Sequence, residues 1–521
     1  MGKIVEQKVE IFSGGVTNDP RDTSVGVARM ISNFDVLTDP RRMIPYRSSE
    51  DGDSASSTSK KQNFCVAIRT GTTHSLYALG VKSASTVAEV LYKDISTGGT
   101  NDLGDNLWTA TTNYQADSAA NSGATQFNLF AYYKKTGYIY GGHESRYIWR
   151  YDPSGSGAWV NRHADLTAYT NLGQGLVHSK DDILYVPYDN KIAKNDNGTW
   201  TAVALTLPSQ YKITSICEYG DYLAIGCAPI TSDAGNSRVY LWDRNTSLVV
   251  IDESLDWGSG VLQVLEEVDG VLIGISYFGN TITGSGADSA FKHKVIFRYL
   301  SGRSAIKFKE FHATSGNVYL SPAKQKINNR IYFMMSITLN GVLREGVWSV
   351  GRSPNSPFAV VHERTPNNDT VLVSSILYNF IFVTDYLFQA VNTSSAFAVY
   401  KTDNSSGAFT AKSIYESVIF NCGDSSRTKK LIGVTVITEP MPSAGQIVLA
   451  YKIDANMNAT TYTTIYTDGT NDQISHDAIN IESTGANLPE FKEIQFRIES
   501  TGNAVVTGIR FKAEFVDKQM Y

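Results

Sequence analysis

Read for its alternation of apolar and polar positions, the chain repeats one phrase between about Asn63 and Lys401: an apolar strand, a short polar turn, a second strand rich in Tyr, Ile, Val and Leu, then a looser third and fourth strand. The second strands are the clearest copies, at 76–79, 138–140, 183–186, 222–225, 271–275, 331–334 and 380–383. Most follow a turn of suitable chemistry, as in Lys135-Thr136-Gly137, Lys180-Asp181-Asp182, Tyr219-Gly220-Asp221, Val268-Asp269-Gly270 and Asn328-Asn329-Arg330. Tight hairpins need positive φ, which such residues accept most readily. Third strands follow at 146–152, 237–243, 294–299, 346–350 and 397–401, with the period of two that a strand with two unlike faces requires.

One four-stranded sheet cannot bury both of its faces, whereas sheets stacked around an axis bury each other and leave only short edges. The phrase therefore predicts an all-β chain whose centre, 63–412, is a β-propeller of about seven four-stranded blades. Segments 86–94 and 308–318 are ambiguous, so six to eight blades remain open.

The two ends break the phrase. Residues 413–521 read as short alternating strands at 417–420, 430–436, 446–451, 461–466, 493–499 and 506–511, with turn signals at Asp468-Gly469 and Thr501-Gly502-Asn503. This spacing predicts a C-terminal β-sandwich of jelly-roll type. Residues 1–62 have little apolar area to bury alone and read as an extended N-terminal arm, ending in a polar linker at 48–61. Its apolar residues Phe12, Val16, Ile31, Phe34 and Ile44 are expected to pack on the propeller or across a subunit boundary, leaving a folded protein if 1–46 is deleted.

Composition agrees with strands: 29 Tyr, 22 Phe and 42 Gly stand against 8 Met in 521 residues. A formal charge of −5 gives no global electrostatic case for wrapping nucleic acid or coating an anionic membrane. The opening residues lack the apolar core of a secretion signal, and no apolar stretch approaches the ~18 residues of a membrane span. Cys65, Cys217, Cys227 and Cys422 are scattered in or beside apolar runs and read as buried free thiols.

The sequence offers no catalytic, cofactor-binding or metal site. Asn195-Asp196-Asn197-Gly198-Thr199-Trp200 approaches the box of sialidase-like propellers but is one residue short between Gly and Trp and has no second copy; it reads as a turn capped by a packing Trp, as do Trp108, Trp159 and Trp348. Glu266-Glu267 and Asp252-Glu253 are neighbours on strands and point to opposite faces, which rules out an acid and base pair. The eight His never take metal-ligand spacing, and no phosphate-binding Gly motif occurs. The basic clusters at 41–42, 60–61 and 427–430 are too short to track a DNA backbone.

The arm carries a resemblance. Phe12-x-Gly14-Gly15-Val16, the turn at Pro20, then Asn33-Phe34 and the Arg42 to Pro45 element leading into a propeller together resemble the nozzle and tail-hub proteins of short-tailed bacteriophages. The close match spans about 40 residues, and the family pattern has no counterpart of the terminal sandwich. The resemblance implies a non-enzymatic virion subunit of the phage tail, assembled in the host cytoplasm as a homo-oligomeric ring, a hexamer. It implies contacts with portal-side adaptor or fibre proteins and passage of viral DNA without sequence-specific binding, with no cofactor and no membrane insertion. Phe12, Gly14, Gly15, Val16, Pro20, Asn33, Phe34, Arg42 and Pro45 would be its assembly arm. The competing expectation, from the aromatic-rich loops and the sandwich, is a tail appendage that binds or cleaves host-surface carbohydrate.

Overall fold

A computed structural model describes residues 3–22, 24–52, 59–82, 88–95, 102–105, 108–114, 129–142, 146–154, 158–230, 235–246, 253–278, 293–314, 318–339, 341–353, 356–367, 376–392, 397–409, 411–454, 461–468, 478–480 and 488–516. Every regular element of any length among them is a β-strand.

The N-terminal strands are Ile4–Val9 (β1), Gly15–Val16 (β2), Val27–Ser32 (β3), Phe34–Asp35 (β4), Ile44–Pro45 (β5) and Ser49–Asp51 (β6). Consecutive four-stranded antiparallel sheets follow. The first is Ser59–Thr70 (β7), Thr73–Lys82 (β8), Ala88–Asp94 (β9) and Thr109–Tyr114 (β10); the second is Leu129–Tyr133 (β11), Tyr138–Gly142 (β12), Tyr147–Tyr151 (β13) and Trp159–Asp165 (β14). The third runs Leu176–His178 (β15), Ile183–Tyr188 (β16), Lys191–Asp196 (β17) and Thr199–Thr206 (β18), and the fourth Tyr211–Tyr219 (β19), Tyr222–Pro229 (β20), Asn236–Trp242 (β21) and Glu253–Ser259 (β22). The fifth holds Val261–Val268 (β23), Val271–Phe278 (β24), Lys294–Ser301 (β25) and Ser304–His312 (β26); the sixth holds Tyr319–Ile327 (β27), Arg330–Leu339 (β28), Val342–Ser353 (β29) and Ser356–Arg364 (β30). The seventh takes Ile376–Val383 (β31), Tyr386–Asn392 (β32) and Phe397–Asp403 (β33), and draws its fourth strand, β6, from the other end of the chain.

The hairpin turns behave as their residues predict: Asp269 and Gly270 have φ of 50° and 78°, and Asn328 and Asn329 have 47° and 59°. Burial falls from the inside of a sheet outward. Second strands such as β20 and β24 are buried along most of their length, whereas fourth strands such as β14 and β26 are mostly exposed or half-buried. The apolar cores lie between successive sheets. Tyr77 and Leu79 of the first meet Ile139 and Trp149 of the second, and Ile192 and Leu205 of the third meet Ile225 and Trp242 of the fourth. One such core joins Leu76 and Ala78 of the first sheet to Phe388 and Val399 of the seventh. Repeated meander sheets packed face to face in this way make a β-propeller.

The remaining strands are Ser413–Ser417 (β34), Lys429–Thr438 (β35), Gln446–Ile453 (β36), Thr463–Asp468 (β37), Ala478–Asn480 (β38), Glu490–Phe491 (β39), Ile494–Thr501 (β40) and Val506–Phe515 (β41). They form two sheets with the N-terminal strands, one ordered β1-β41-β35-β38 with β39 also on β35, the other β2-β3-β34-β40-β36-β37.

The chain divides into two compact units: Met1–Ser49 with Val347–Thr370 and Ser406–Tyr521, and Glu50–Gly346 with Val371–Ser405. This differs from the expected segments 1–62, 63–412 and 413–521. The first 49 residues are not an extended arm, because β1 pairs along β41 from Ile4↔Glu514 to Val9↔Ile509 and β3 pairs with β34. Two further expectations change. Residues 380–383 lie in β31, a first strand, and the second strand of that sheet is β32; β31 is as apolar as a second strand, and its turn, with Thr384 at φ 50°, follows it. Within the expected linker, Ser49–Asp51 is a strand paired in the seventh sheet, while 53–58 lie outside the described residues. Of the ambiguous stretches, 88–94 forms β9 and 308–312 belongs to β26.

Candidate functional site

The residues that carry the resemblance all lie in the first unit, and the structure gives each a specific place. Phe12 is fully buried with its ring edge-on to Tyr415 at 5.5 Å, and its backbone N–H donates to the Pro40 carbonyl (2.7 Å). Gly14 donates to Gly26 (2.9 Å), and the strands approach so closely that a Cβ on Gly14 would stand 2.5 Å from the Gly26 carbonyl carbon. Gly15 has φ of +79°, a left-handed backbone that a side chain resists, and a Cβ there would lie 2.8 Å from the Val360 carbonyl oxygen. Val16 is buried, and the Pro20 carbonyl accepts from the Ile419 N–H (2.7 Å).

Asn33 joins three segments. Its backbone is left-handed (φ 60°), its Nδ2 donates to the Lys412 carbonyl (3.0 Å), and its Oδ1 accepts from the Thr365 N–H (3.2 Å). Asn takes this conformation more readily than most residues because its short amide can bond locally. Phe34 is fully buried and pairs with Pro45 between β4 and β5. Arg42 donates from Nη2 to Glu439 Oε2 (2.6 Å), and that hydrogen bond raises its already high pKa. Within the first unit Phe12 packs on Tyr415 of β34, while Gly15 lies against the Val360 backbone of β30, a strand of the sixth sheet, so the segment packs both on C-terminal strands and on a strand of the repeated sheets. A chain lacking 1–46 loses strands from both sheets of that unit, contrary to the expectation that its core would stay complete.

Within the second unit, residues of β7, β11, β27 and β31, with Gln174 and Gly175 just before β15, line a cavity of about 230 Å³: Asn63, Phe64, Phe130, Lys324, Gln325, Asn379, Phe380 and Ile381 complete the wall. Most of its polar groups are engaged. Asn63 and Asn379 bond each other where their strands change register, and each amide oxygen accepts the next residue's N–H. Gln325 brackets Phe382, its Oε1 accepting from the N–H (2.8 Å) and its Nε2 donating to the carbonyl (3.3 Å). Lys324 donates to the carbonyls of Ile216 (2.8 Å) and Leu265 and pairs with Glu266 (3.0 Å), so one ammonium joins three sheets. Nothing in the sequence marks this lysine, because its partners lie 59 and 108 residues away. Glu267 pairs with Lys326 instead; burial pushes its carboxyl up, but the Lys326 and Gly270 hydrogen bonds outweigh this and hold it below the usual carboxylate range.

The rival enzymatic features have structural partners. Asn197 and Gly198 form the positive-φ turn of the β17–β18 hairpin, and Trp200 packs edge-on against Tyr140 (5.6 Å). Trp108 donates to the Gly52 carbonyl (2.9 Å), and Trp159 lies 4.6 Å from Trp149. Trp348 packs against His362 with the rings tilted by 44° and their centroids 4.8 Å apart. His178 is fully buried beside Arg244, which also bonds Asp181 (2.8 Å). The four cysteines are buried and unbridged. Among the described residues no group of three or more His, Cys, Asp or Glu is arranged to hold a metal ion.

Fold and site together define an all-β protein with a β-propeller. No family model matches the chain, and no curated protein does. Among solved structures, the Dos1 propeller is similar at 10% identity with a TM-score of 0.39, covering 77% of this chain and 95% of that one.

Proposed function

We propose that the chain is a structural subunit of a tailed-phage virion, in the tail hub or nozzle, with its seven four-stranded sheets as the blades of a closed propeller and its terminal unit as a β-sandwich. The core between the first and seventh sheets and the completion of the seventh by β6 support closure. Phe496 of one terminal sheet and Phe511 of the other, 4.9 Å apart, support a sandwich.

The observation that carries the functional reading is the N-terminal segment. The strands β1 and β3 of that segment pair with the C-terminal strands, and residues resembling the nozzle family lie between and beside them, with Phe12 against Tyr415 and Arg42 on Glu439. A subunit built this way cannot be peeled from its N-terminal end without breaking two sheets, which suits a part that withstands a packed genome. A near-neutral chain suits a wall past which DNA slides without sequence-specific contact. The ring, sixfold by the resemblance, would sit between adaptor or portal-side proteins and fibres. Immuno-electron microscopy of particles with antibody against this chain is expected to label the tail; label on host material alone would refute the proposal. Depolymerisation or glycan-array binding by the isolated chain would replace it with the carbohydrate-appendage reading.

A further inference from the structure

β1 is the edge strand of its sheet, and its geometry points to a twofold pairing with β1 of a second copy of this chain. The Phe515 N–H donates to the Lys3 carbonyl (3.2 Å), which fixes the phase: Lys3, Val5, Gln7 and Val9 turn their backbone groups toward β41. Ile4, Glu6 and Lys8 therefore turn theirs outward, and among the described residues nothing pairs with them. Such a row of free N–H and C=O groups is a template for another strand. Antiparallel pairing of this edge with itself must match outward residues with outward residues, so few registers are open. Centred on Glu6, it opposes Glu6 to Glu6; centred on Lys8, it opposes Lys8 to Lys8 and Glu6 to Glu10. Centred on Gln7, it sets Glu6 against Lys8 in both directions and Val5 against Val9 on the half-buried face.

We propose that the free chain forms a dimer through this register. Charge complementarity selects the occupant, because the sequence Glu6-Gln7-Lys8 is its own complement when reversed. The side chains are free to re-pair: Glu6 and Lys8 are 42% and 50% exposed and only 3.9 Å apart within one strand. Alongside the same stretch lies an open groove of about 510 Å³, walled by Val9, Ile11, Val25, Val27 and Phe420 among others. The partner's Val5, opposite Val9, would enter it. The inference does not depend on the proposed function, since a twofold contact is a property of the free chain whether or not it later enters a ring.

Sedimentation equilibrium of the full chain tests it. The wild type is expected to show a monomer–dimer equilibrium, and Lys8→Glu, which turns both cross-strand pairs into like charges, to weaken it about tenfold or more. The double exchange Glu6→Lys with Lys8→Glu restores complementarity in the same register and should restore the dimer. Glu6→Pro removes an outward N–H without touching the β41 ladder, and should give a folded monomer by circular dichroism. A wild type that stays monomeric up to hundred-micromolar concentration would overturn the inference. So would a dimer that ignores the single charge reversal, fails to recover in the double exchange, or survives the proline.

Discussion

Replacing Phe12 by Ala tests whether the N-terminal segment is part of the first unit's own core. Phe12 is fully buried, and its ring meets Tyr415 edge-on. Truncating a buried Phe costs about 3–5 kcal/mol, and an edge-on aromatic pair accounts for roughly 0.5–1.5 kcal/mol beyond area burial. The cavity is poorly placed to collapse, because the chain is tied on both sides of it, by the Phe12 N–H to Pro40 and the Gly14 N–H to Gly26. A loss of about 4 kcal/mol is therefore expected, close to a thousandfold in the opening equilibrium. Since the chain has two compact units, a single melting temperature would blur the effect. Hydrogen exchange read by mass spectrometry resolves it: peptides covering β3, β34 and β41 should lose protection, while those covering β19 to β24 serve as the reference. Phe12→Leu, which keeps most of the apolar area, should cost clearly less. A loss under about 1 kcal/mol, with β3 and β34 as protected as in the wild type, would refute the placement of the segment in this core.

Gly14→Ala should destabilise the same peptides, because the atoms its Cβ would meet at 2.5 to 2.6 Å all belong to the backbone; an unchanged denaturation midpoint would contradict that close approach. Burial raises the pKa of Cys65, Cys217 and Cys227, so these thiols should resist a disulfide-exchange reagent at pH 8 in the native protein and react on unfolding. Burial also pushes the Glu310 carboxyl up, but hydrogen bonds from Lys307 and Lys294 outweigh it and leave the folded pKa depressed. Its contribution to stability is thus present above the unfolded value of about 4.3 and lost as pH falls through the lower folded one, so Glu310→Gln should flatten the acid limb of a melting-temperature profile.

What the sequence determined by itself is local. The turn residues Asp269-Gly270 and Asn328-Asn329 carry their backbone preference within two positions, and the alternation around them requires no distant partner, so the hairpins and third strands could be read directly. The same locality makes buried thiols legible from their apolar neighbours, and a packing Trp200 legible from the turn beside it. Which edge a strand joins is another matter. The pattern of β1 fits any open sheet edge with one buried face, and its pairing with β41, some five hundred residues away, was settled only when both ends of the chain met. For the same reason the apolar run 380–383 does not by itself reveal that it is a first strand, because β31 and β32 are both largely apolar and only the sheet order, completed by β6, says which comes first. Lys324 shows this at the scale of a side chain: an ammonium that joins three sheets needs the carbonyls of Ile216 and Leu265 brought to one place, and that convergence is a property of the tertiary structure.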